Sequence, residues 1–170
     1  AMTERLLVRD LMSVGVATCA PDTPIIEIAR LLLEKKLEAV VVLNEDGHAV
    51  GVVSQKELAQ AYTRDNRQEL TAEAVMRDGV PSVPPDIPLT AAAQIMQDQG
   101  LRVVYLMHHA GGITYPAAVL SYQHLLRHLA ARSDEELNDL GIKAARQAPL
   151  DEFIQKRDAA RKRAGFPGQE

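Results

Sequence analysis

The sequence predicts an α+β fold made of two copies of one folding unit, followed by a helical C-terminal tail. Two observations predict the repeat: the chain resembles itself at an offset of 64 residues, and each copy shows apolar patterns in the order strand, helix, hairpin, helix. Helix-like spacing after the second copy predicts the tail. The expected units are residues 8–63 and 72–130, each a small three-stranded sheet with two helices, and the tail is 133–170.

The internal repeat is visible residue by residue. A shift of 64 positions superposes Met12 on Met76, Gly15 on Gly79, Pro21 on Pro85, Asp22 on Asp86, Pro24 on Pro88 and Gly47 on Gly111. Near the end of the unit the offset grows to 67, so that Ser54 meets Ser121. An insertion of about three residues after Gly111 therefore lengthens the second hairpin.

Each unit begins with a strand and an amphipathic helix. In the first copy the strand is Val16–Cys19, Thr23 is the expected helix cap, and Pro24 lies in the first turn. The apolar stripe of this helix consists of Ile25, Ile28, Ala29 and Leu32, and the second copy repeats it with Leu89, Ala92, Ala93 and Met96. The same helix is thus predicted twice from separate residues.

A hairpin and a second helix complete each unit. Strands are expected at 39–43 and 49–53 and again at 103–107 and 117–120, with helices at 54–62 and 122–129. A small sheet covered by helices on one face leaves its other face exposed. The two copies should therefore pack sheet against sheet or side by side.

The tail is predicted to form two short helices. Ser133 would cap the first helix, and Pro149 would end it. The second would be anchored by Leu150, Phe153 and Ile154 and end in the basic residues 161–163. Those cations either complement the helix dipole or form a docking surface.

Composition narrows the classes of function and location. The net charge of −4 disfavours general binding to nucleic acid, which needs a basic surface. The single cysteine, Cys19, cannot form an internal disulfide, so we expect a reducing cytoplasm. No apolar run of 18 residues occurs, and we expect neither a signal peptide nor a membrane span.

The order of short motifs resembles that of cystathionine-β-synthase (CBS) repeats. The first copy carries Asp-Leu-Met at 10–12, Pro-Asp-Thr-Pro at 21–24, Glu-Asp-Gly at 45–47 and Gly-Val-Val-Ser at 51–54. The second carries Val-Met at 75–76, Pro-Pro-Asp-Ile-Pro at 84–88 and Ala-Val-Leu-Ser at 118–121. The resemblance implies a pair of repeats with pseudo-two-fold symmetry, a Bateman module, which commonly forms disc-like dimers and holds adenosine nucleotides in the clefts between repeats.

The resemblance also implies a set of ligand-binding residues. Nucleotide-binding members tend to place Thr or Ser, two residues, then Asp at the start of the last helix, where the carboxylate accepts hydrogen bonds from the ribose. The corresponding stretches are Ser54, Lys56 and Glu57 in the first copy and Ser121 and His124 in the second. Val16, Thr18, Val80 and Ser82 would line the base pockets, and Arg102 would meet phosphate. Because His124 replaces the acid, we rank the Ser54/Glu57 cleft above the Ser121/His124 cleft.

Two alternatives compete for these residues. Ser54 and Glu57 also match a capping box, which satisfies backbone donors without any ligand. His108, His109 and His124 could contribute to a metal site, but no Cys, Asp or Glu cluster flanks them, so no metal is expected.

These patterns predict a non-enzymatic regulatory module, because no catalytic constellation is present. It needs no cofactor, takes AMP, ADP, ATP or S-adenosylmethionine as a possible regulatory ligand, and forms a homodimer that signals to an effector protein of unknown identity. The alternative is a dimerisation or protein-interaction module with degenerate clefts, favoured by His124 and by Val41 and Tyr105, which stand where many CBS repeats have proline. A weaker third alternative is a nucleic-acid accessory protein that uses the basic tail helix.

Overall fold

The computed structural model describes the backbone of residues 6–163 and the side chains of 6–146, 154 and 156–162. Its strands are β1 (Ser13–Val14), β2 (Thr18–Cys19), β3 (Ala39–Leu43), β4 (Ala49–Ser54), β5 (Arg77–Asp78), β6 (Val103–Ala110) and β7 (Ile113–Ser121). Its α-helices are α1 (Ile25–Lys35), α2 (Gln55–Ala61), α3 (Ala72–Val75), α4 (Leu89–Gln99), α5 (Tyr122–Ala130) and α6 (Gly141–Arg163). Short 3-10 turns lie at Val8–Asp10, Arg67–Glu69 and Asp134–Leu137. The predicted α+β architecture of two repeats is confirmed.

The two repeats exchange their first strands. One sheet has the order β1-β7-β6 and the other β2-β3-β4-β5, so β1 joins the sheet of the second repeat and β5 joins that of the first. Gly15 and Gly79 follow these strands at φ 89° and 79°, a backbone region that suits glycine. After each glycine the chain returns to its own repeat, through β2 beside β3 and through a bridge between Ser82 and Tyr105.

This exchange corrects the predicted first strand of each unit. The stretch predicted as one strand at Val16–Cys19 contributes only Thr18–Cys19 to its own sheet, and the preceding Ser13–Val14 pairs with the other repeat. On the reciprocal side, β5 lies so close to β4 that a Cβ on Gly51 would stand 2.7 Å from the Arg77 carbonyl oxygen. The two repeats are therefore interlocked through backbone hydrogen bonds.

The two sheets pack face to face, which confirms the first of the two expected arrangements. Their shared core contains Ala39, Val41, Val52, Val103 and Tyr105. The outer faces are covered by helices, α1 on the first sheet and α4 on the second, through the predicted apolar stripes. The clefts at the seam between the repeats follow from this packing.

The ends of the two long helices are built alike, but their starts differ from the prediction. Pro24 is the N-cap of α1, and the Thr23 hydroxyl instead accepts a hydrogen bond from the Ala20 N–H at 3.1 Å, so the predicted Thr23 cap is wrong. At the other end, α1 and α4 close with left-handed residues, Lys36 at φ 53° and Gly100 at φ 63°. Lys36 bears a strain that the glycine at the same position of the second repeat avoids.

The tail differs from the two predicted helices. Residues 134–137 form a 3-10 turn without a side-chain cap from Ser133, and α6 runs through Pro149 without ending there. The break instead falls before Gly141, whose N–H donates to the Met12 carbonyl oxygen at 2.9 Å while Leu140 enters the core of the second repeat. A proline removes one helical hydrogen bond and need not end a helix. The predicted contacts of Leu150 and Phe153 lie outside the described side chains.

The single cysteine and the expected absence of a membrane span remain to be described. Cys19 is half-buried, and burial raises the pKa of its thiol to about 11, so the thiol is protonated at neutral pH. Within residues 6–163, no helix combines the length and the apolar character needed to cross a bilayer.

Candidate functional site: two clefts at the seam of the repeats

The first cleft lies at the start of α2 and has a volume of about 430 Å³. Its polar and charged lining residues are Ser54, Lys56, Glu57, Gln60, Arg77, Gln99 and Arg102. Arg77, Gln99 and Arg102 come from the second repeat, and the strand exchange brings Arg77 of β5 against β4. We call it the Ser54/Glu57 cleft.

The capping box at the start of α2 is closed by protein groups. The Ser54 N–H donates to Glu57 Oε2 at 3.1 Å, the Ser54 hydroxyl also contacts that oxygen, and the Lys56 N–H donates to Ser54 Oγ at 3.3 Å. The structural role predicted as the alternative for these residues is therefore present. A carboxylate has about four acceptor positions, so Glu57 retains capacity to accept a hydrogen bond from a ligand.

The second cleft lies at the start of α5 and has a volume of about 270 Å³. Its polar and charged lining residues are Ser13, Lys35, Lys36, Glu38, Tyr105, Ser121, Gln123, His124 and Arg127. The exchanged strand β1 contributes Ser13, and the tail contributes Leu140. We call it the Ser121/His124 cleft.

His124 closes the capping box of α5 in its neutral form. The Ser121 N–H donates to His124 Nδ1 at 2.9 Å, so that nitrogen carries no proton, and Nε2 is the donor to Ser13 Oγ at 2.7 Å. Burial and, after it, the nearby Arg127 guanidinium lower the pKa of His124. The ring therefore links α5 to the exchanged strand β1 and adds no charge to the cleft at neutral pH.

Both clefts carry an excess of positive charge on an acidic protein. The Ser54/Glu57 cleft is lined by Lys56, Arg77 and Arg102 against one carboxylate, Glu57. The Ser121/His124 cleft is lined by the same balance of three cations and one carboxylate. One cation of each cleft is already in an ion pair, Arg102 with Glu38 and Arg127 with Asp139. The other two cations of each cleft favour an anionic ligand there, on a chain whose net charge is −4.

The structure divides the predicted site residues into three groups. Ser54, Lys56, Glu57 and Arg102 line the first cleft, and Val16, Ser121 and His124 line the second. Thr18, Val80 and Ser82 line neither, since Thr18 and Ser82 are exposed and Val80 packs in the core between the sheets.

Sequence reasoning missed several residues that the structure places in the clefts. They are Arg77 in the first cleft and Lys35, Lys36, Glu38, Tyr105 and Arg127 in the second. The repeat itself held part of the signal, because Glu38 stands 64 positions before Arg102, which was predicted to line a cleft. A residue proposed in one repeat thus pointed to its counterpart in the other.

The histidines weighed as metal ligands have other partners. His109 Nδ1 lies 2.7 Å from the Thr114 hydroxyl across the β6–β7 pair, and His108 packs edge-on against Tyr115. Both lie on β6, which extends to Ala110, beyond the predicted strand at 103–107. Across the described residues, no three His, Cys, Asp or Glu side chains converge.

The comparison with protein families identifies the repeats. The CBS domain model matches residues 8–64 and again 72–131. The chain belongs to the CBS domain family. Among curated proteins, MK0525 of Methanopyrus kandleri, an uncharacterized protein, is 25% identical over 127 residues. That match covers 72% of this chain and 63% of the relative, so the chain spans less than two thirds of the relative's length.

Solved CBS structures share the fold at low sequence identity. The CBS domain pair of MJ0100, in complex with 5′-methylthioadenosine and S-adenosyl-L-methionine, is 20% identical with a TM-score of 0.66, covering 76% of this chain and 100% of that one. ATU1752 of Agrobacterium tumefaciens is 23% identical with a TM-score of 0.64, covering 74% and 95%. CBSX2 in complex with AMP is 21% identical with a TM-score of 0.59, covering 72% and 95%.

Proposed function

We propose that this CBS pair is a non-catalytic regulatory module that binds an adenosine-type nucleotide in the clefts between its repeats. The observation that carries the proposal is the charge of the clefts, each lined by three cations and one carboxylate on a chain of net charge −4. The volume of the Ser54/Glu57 cleft, about 430 Å³, lies in the range of small-molecule pockets, and that of the Ser121/His124 cleft, about 270 Å³, lies just below this range. The structural neighbours crystallised with AMP, 5′-methylthioadenosine and S-adenosyl-L-methionine support the adenosine class.

The tail offers a route by which occupancy of a cleft reaches another protein. Leu140 lines the Ser121/His124 cleft, and Arg127 of the same cleft holds Asp139 at 2.7 Å and also contacts the Glu136 carbonyl oxygen. The hydrogen bond from Arg127 is the main cause that lowers the pKa of Asp139. A ligand that binds Arg127 would compete with the Arg127–Asp139 ion pair and so change the conformation of the segment that leads into α6. A population shift of this kind requires that the ligand bind the two tail arrangements with different affinity.

A homodimer is the second part of the proposal. The outer helices expose apolar side chains, with Leu33 of α1 81% and Leu129 of α5 83% accessible. Between α1 and α2, Ile26, Ala29 and Tyr62 border an apolar groove of about 640 Å³. Association of two chains through these helices would remove that surface from water. We expect a cytoplasmic protein because the single cysteine, Cys19, cannot form an internal disulfide.

The ligand hypothesis is tested by thermal melting with AMP, ADP, ATP and S-adenosylmethionine. A ligand present at 100 times its dissociation constant should stabilise the fold by about 2.7 kcal/mol. Arg77→Gln and Lys35→Gln each remove one exposed cation from one cleft and should weaken the response without loss of the fold. Glu57→Ala against His124→Ala tests the predicted order of the clefts, because both variants also open a capping box. A melting temperature that no nucleotide raises would contradict the proposal.

The second candidate function is an interaction module without a nucleotide. The closed capping boxes favour it, because Glu57 and His124 already have protein partners. In that case the clefts would be structural seams, and dimerisation would persist while the nucleotide panel had no effect.

A further inference from the structure

Two buried oxygen atoms in the Ser121/His124 cleft lack a hydrogen-bond partner. Among the described side chains, the buried polar atoms without a hydrogen bond are Glu38 Oε1 and Tyr105 Oη. Both residues line the same cleft, and Tyr105 is only 1% exposed. Glu38 Oε1 does have an ionic neighbour, Arg102 Nε at 3.0 Å, whereas no polar partner is found for Tyr105 Oη. Nearly all buried polar groups in proteins are hydrogen-bonded, so the Tyr105 hydroxyl in particular suggests a partner from outside the chain.

The ionisation of the two groups defines what that partner must offer. Burial, and then the Glu38 carboxylate, raise the pKa of Tyr105, so its hydroxyl keeps its proton and can donate. Glu38 has the reverse role. Its Oε1 lies 3.0 Å from Arg102 Nε in an ion pair whose direction does not meet hydrogen-bond geometry, so this oxygen can still accept. The wall of the cleft thus contains one acceptor and one donor, and because both atoms have almost no accessible surface in the free protein, neighbouring side chains must shift before a ligand reaches them.

The fold itself does not require the Tyr105 hydroxyl. The counterpart of Tyr105 in the first repeat is Val41, which is fully buried in the same core between the sheets without a polar group. A phenylalanine would fill the same space. The hydroxyl therefore adds a desolvated donor that packing does not explain.

We propose that Glu38 and Tyr105 recognise the edge of an adenine base in the Ser121/His124 cleft. The exocyclic amino group of adenine would donate to Glu38 Oε1, and the adjacent ring nitrogen would accept from the Tyr105 hydroxyl. Lys35, Lys36 and Arg127, which line the same cleft, supply positive charge for a phosphate. The inference rests on the proposed function and adds to it the residues that read the base.

The test is calorimetric titration of AMP and of purine riboside 5′-monophosphate, which keeps the ring nitrogen and lacks the amino group. The wild-type chain should bind AMP at least about tenfold more tightly than purine riboside 5′-monophosphate, as expected for one hydrogen bond to a charged group. Tyr105→Phe should weaken AMP at one site by roughly tenfold, and Glu38→Gln should reduce the preference for AMP over the deaminated analogue. Tyr122→Phe is the matched control, because its hydroxyl lies outside both clefts and bonds to Gln97 at 3.3 Å.

Thermal melting without ligand tests the role of the Tyr105 hydroxyl separately from the proposed nucleotide-binding function. Since the Tyr105 hydroxyl has no partner in the free protein, Tyr105→Phe should melt at the wild-type temperature or above it, while Tyr122→Phe should melt slightly below. A marked loss of stability in Tyr105→Phe would overturn the inference whether or not AMP binds. AMP binding that Tyr105→Phe and Glu38→Gln both leave unchanged would overturn the inference alone. A wild-type chain that binds no AMP would overturn the proposed function, and this inference with it.

Discussion

Replacing Lys36 with glycine should stabilise the fold and weaken nucleotide binding at the same time. Within the described chain, Lys36 is the one non-glycine residue at positive φ, at φ 53° and ψ 47°, while Gly100 takes its place in the second repeat. The left-handed conformation costs a residue with a Cβ about 1–2 kcal/mol. Glycine removes that strain, but the greater conformational freedom that it gives the unfolded chain destabilises the fold by about 0.4–1 kcal/mol. The net gain is about 0.5–1 kcal/mol, or roughly 1–4 °C in Tm for a chain of this size.

The effect on the ligand is separable from the effect on the backbone. Lys36 is one of three cations that line the Ser121/His124 cleft, so its loss should weaken AMP by about fivefold, the equivalent of about 1 kcal/mol for one solvent-exposed charge. Lys36→Gln keeps the Cβ and removes the charge, and it should weaken AMP without a gain in Tm. Gly100→Lys is the reciprocal control, since it introduces the strain at the other helix end and should lower Tm.

Thermal melting of these three variants tests the predicted change in stability, and calorimetry with AMP tests the predicted change in affinity. A lower Tm for Lys36→Gly would refute the strain argument, because it would mean that the left-handed lysine is stabilised by contacts that outweigh its conformational cost. Unchanged AMP affinity in both Lys36 variants would refute the placement of a phosphate near this side chain. Either result leaves the other half of the prediction standing.

Three further predictions follow from local geometry. Gly51→Ala should destabilise the fold by about 1–3 kcal/mol in urea unfolding, because its Cβ would meet Met76 Sδ at 2.6 Å and the Arg77 carbonyl oxygen at 2.7 Å; an unchanged midpoint would contradict the tight seating of β5 on β4. His124→Gln keeps a capping acceptor but cannot titrate. Folding lowers the pKa of His124, so the neutral ring contributes to stability above about pH 6.5. This contribution is lost as the pH falls toward the pKa of the folded state, by at most about 1.4 kcal/mol per pH unit. The wild type should therefore lose stability relative to His124→Gln between pH 7.5 and 5. Equal slopes for the two chains would show that His124 does not titrate in this way. Leu33→Glu should shift a dimer to monomer in analytical ultracentrifugation while Glu34→Gln, its exposed neighbour, should not, and a monomeric wild type would contradict the dimer proposal.

The sequence predicted the parts of the fold whose signals are local and repeated. The stripe that includes Ile28 and Leu32 and the apolar run at 39–43 appear as α1 and β3, packed together as expected. The exchange of β1 and β5 was not predictable in this way. Each strand has two residues, too few to show a period, and each pairs with a strand far away in sequence. Only the left-handed Gly15 and Gly79, which match at the 64-residue offset, marked the crossover points.

The candidate site was predictable by position and not by hydrogen bonding. Matching motifs placed Ser54, Glu57, Ser121 and His124 at the right helix ends, because a cap is a local feature of sequence. The chemistry that distinguishes the clefts is not local. Tyr105 counts as one more apolar core residue until its surroundings show that the hydroxyl has no partner.

The two clefts occupy equivalent places in the two repeats, but their lining residues differ in charge. Glu38 and Arg102 occupy one position of the repeat with opposite charges, and they meet as an ion pair with Glu38 in one cleft and Arg102 in the other. Burial raises the pKa of Glu38 more than Arg102 lowers it. A symmetric pair of sites would place like charges at this contact and repel them. The opposite charges hold the seam together, and because of them the two clefts present different groups to their ligands.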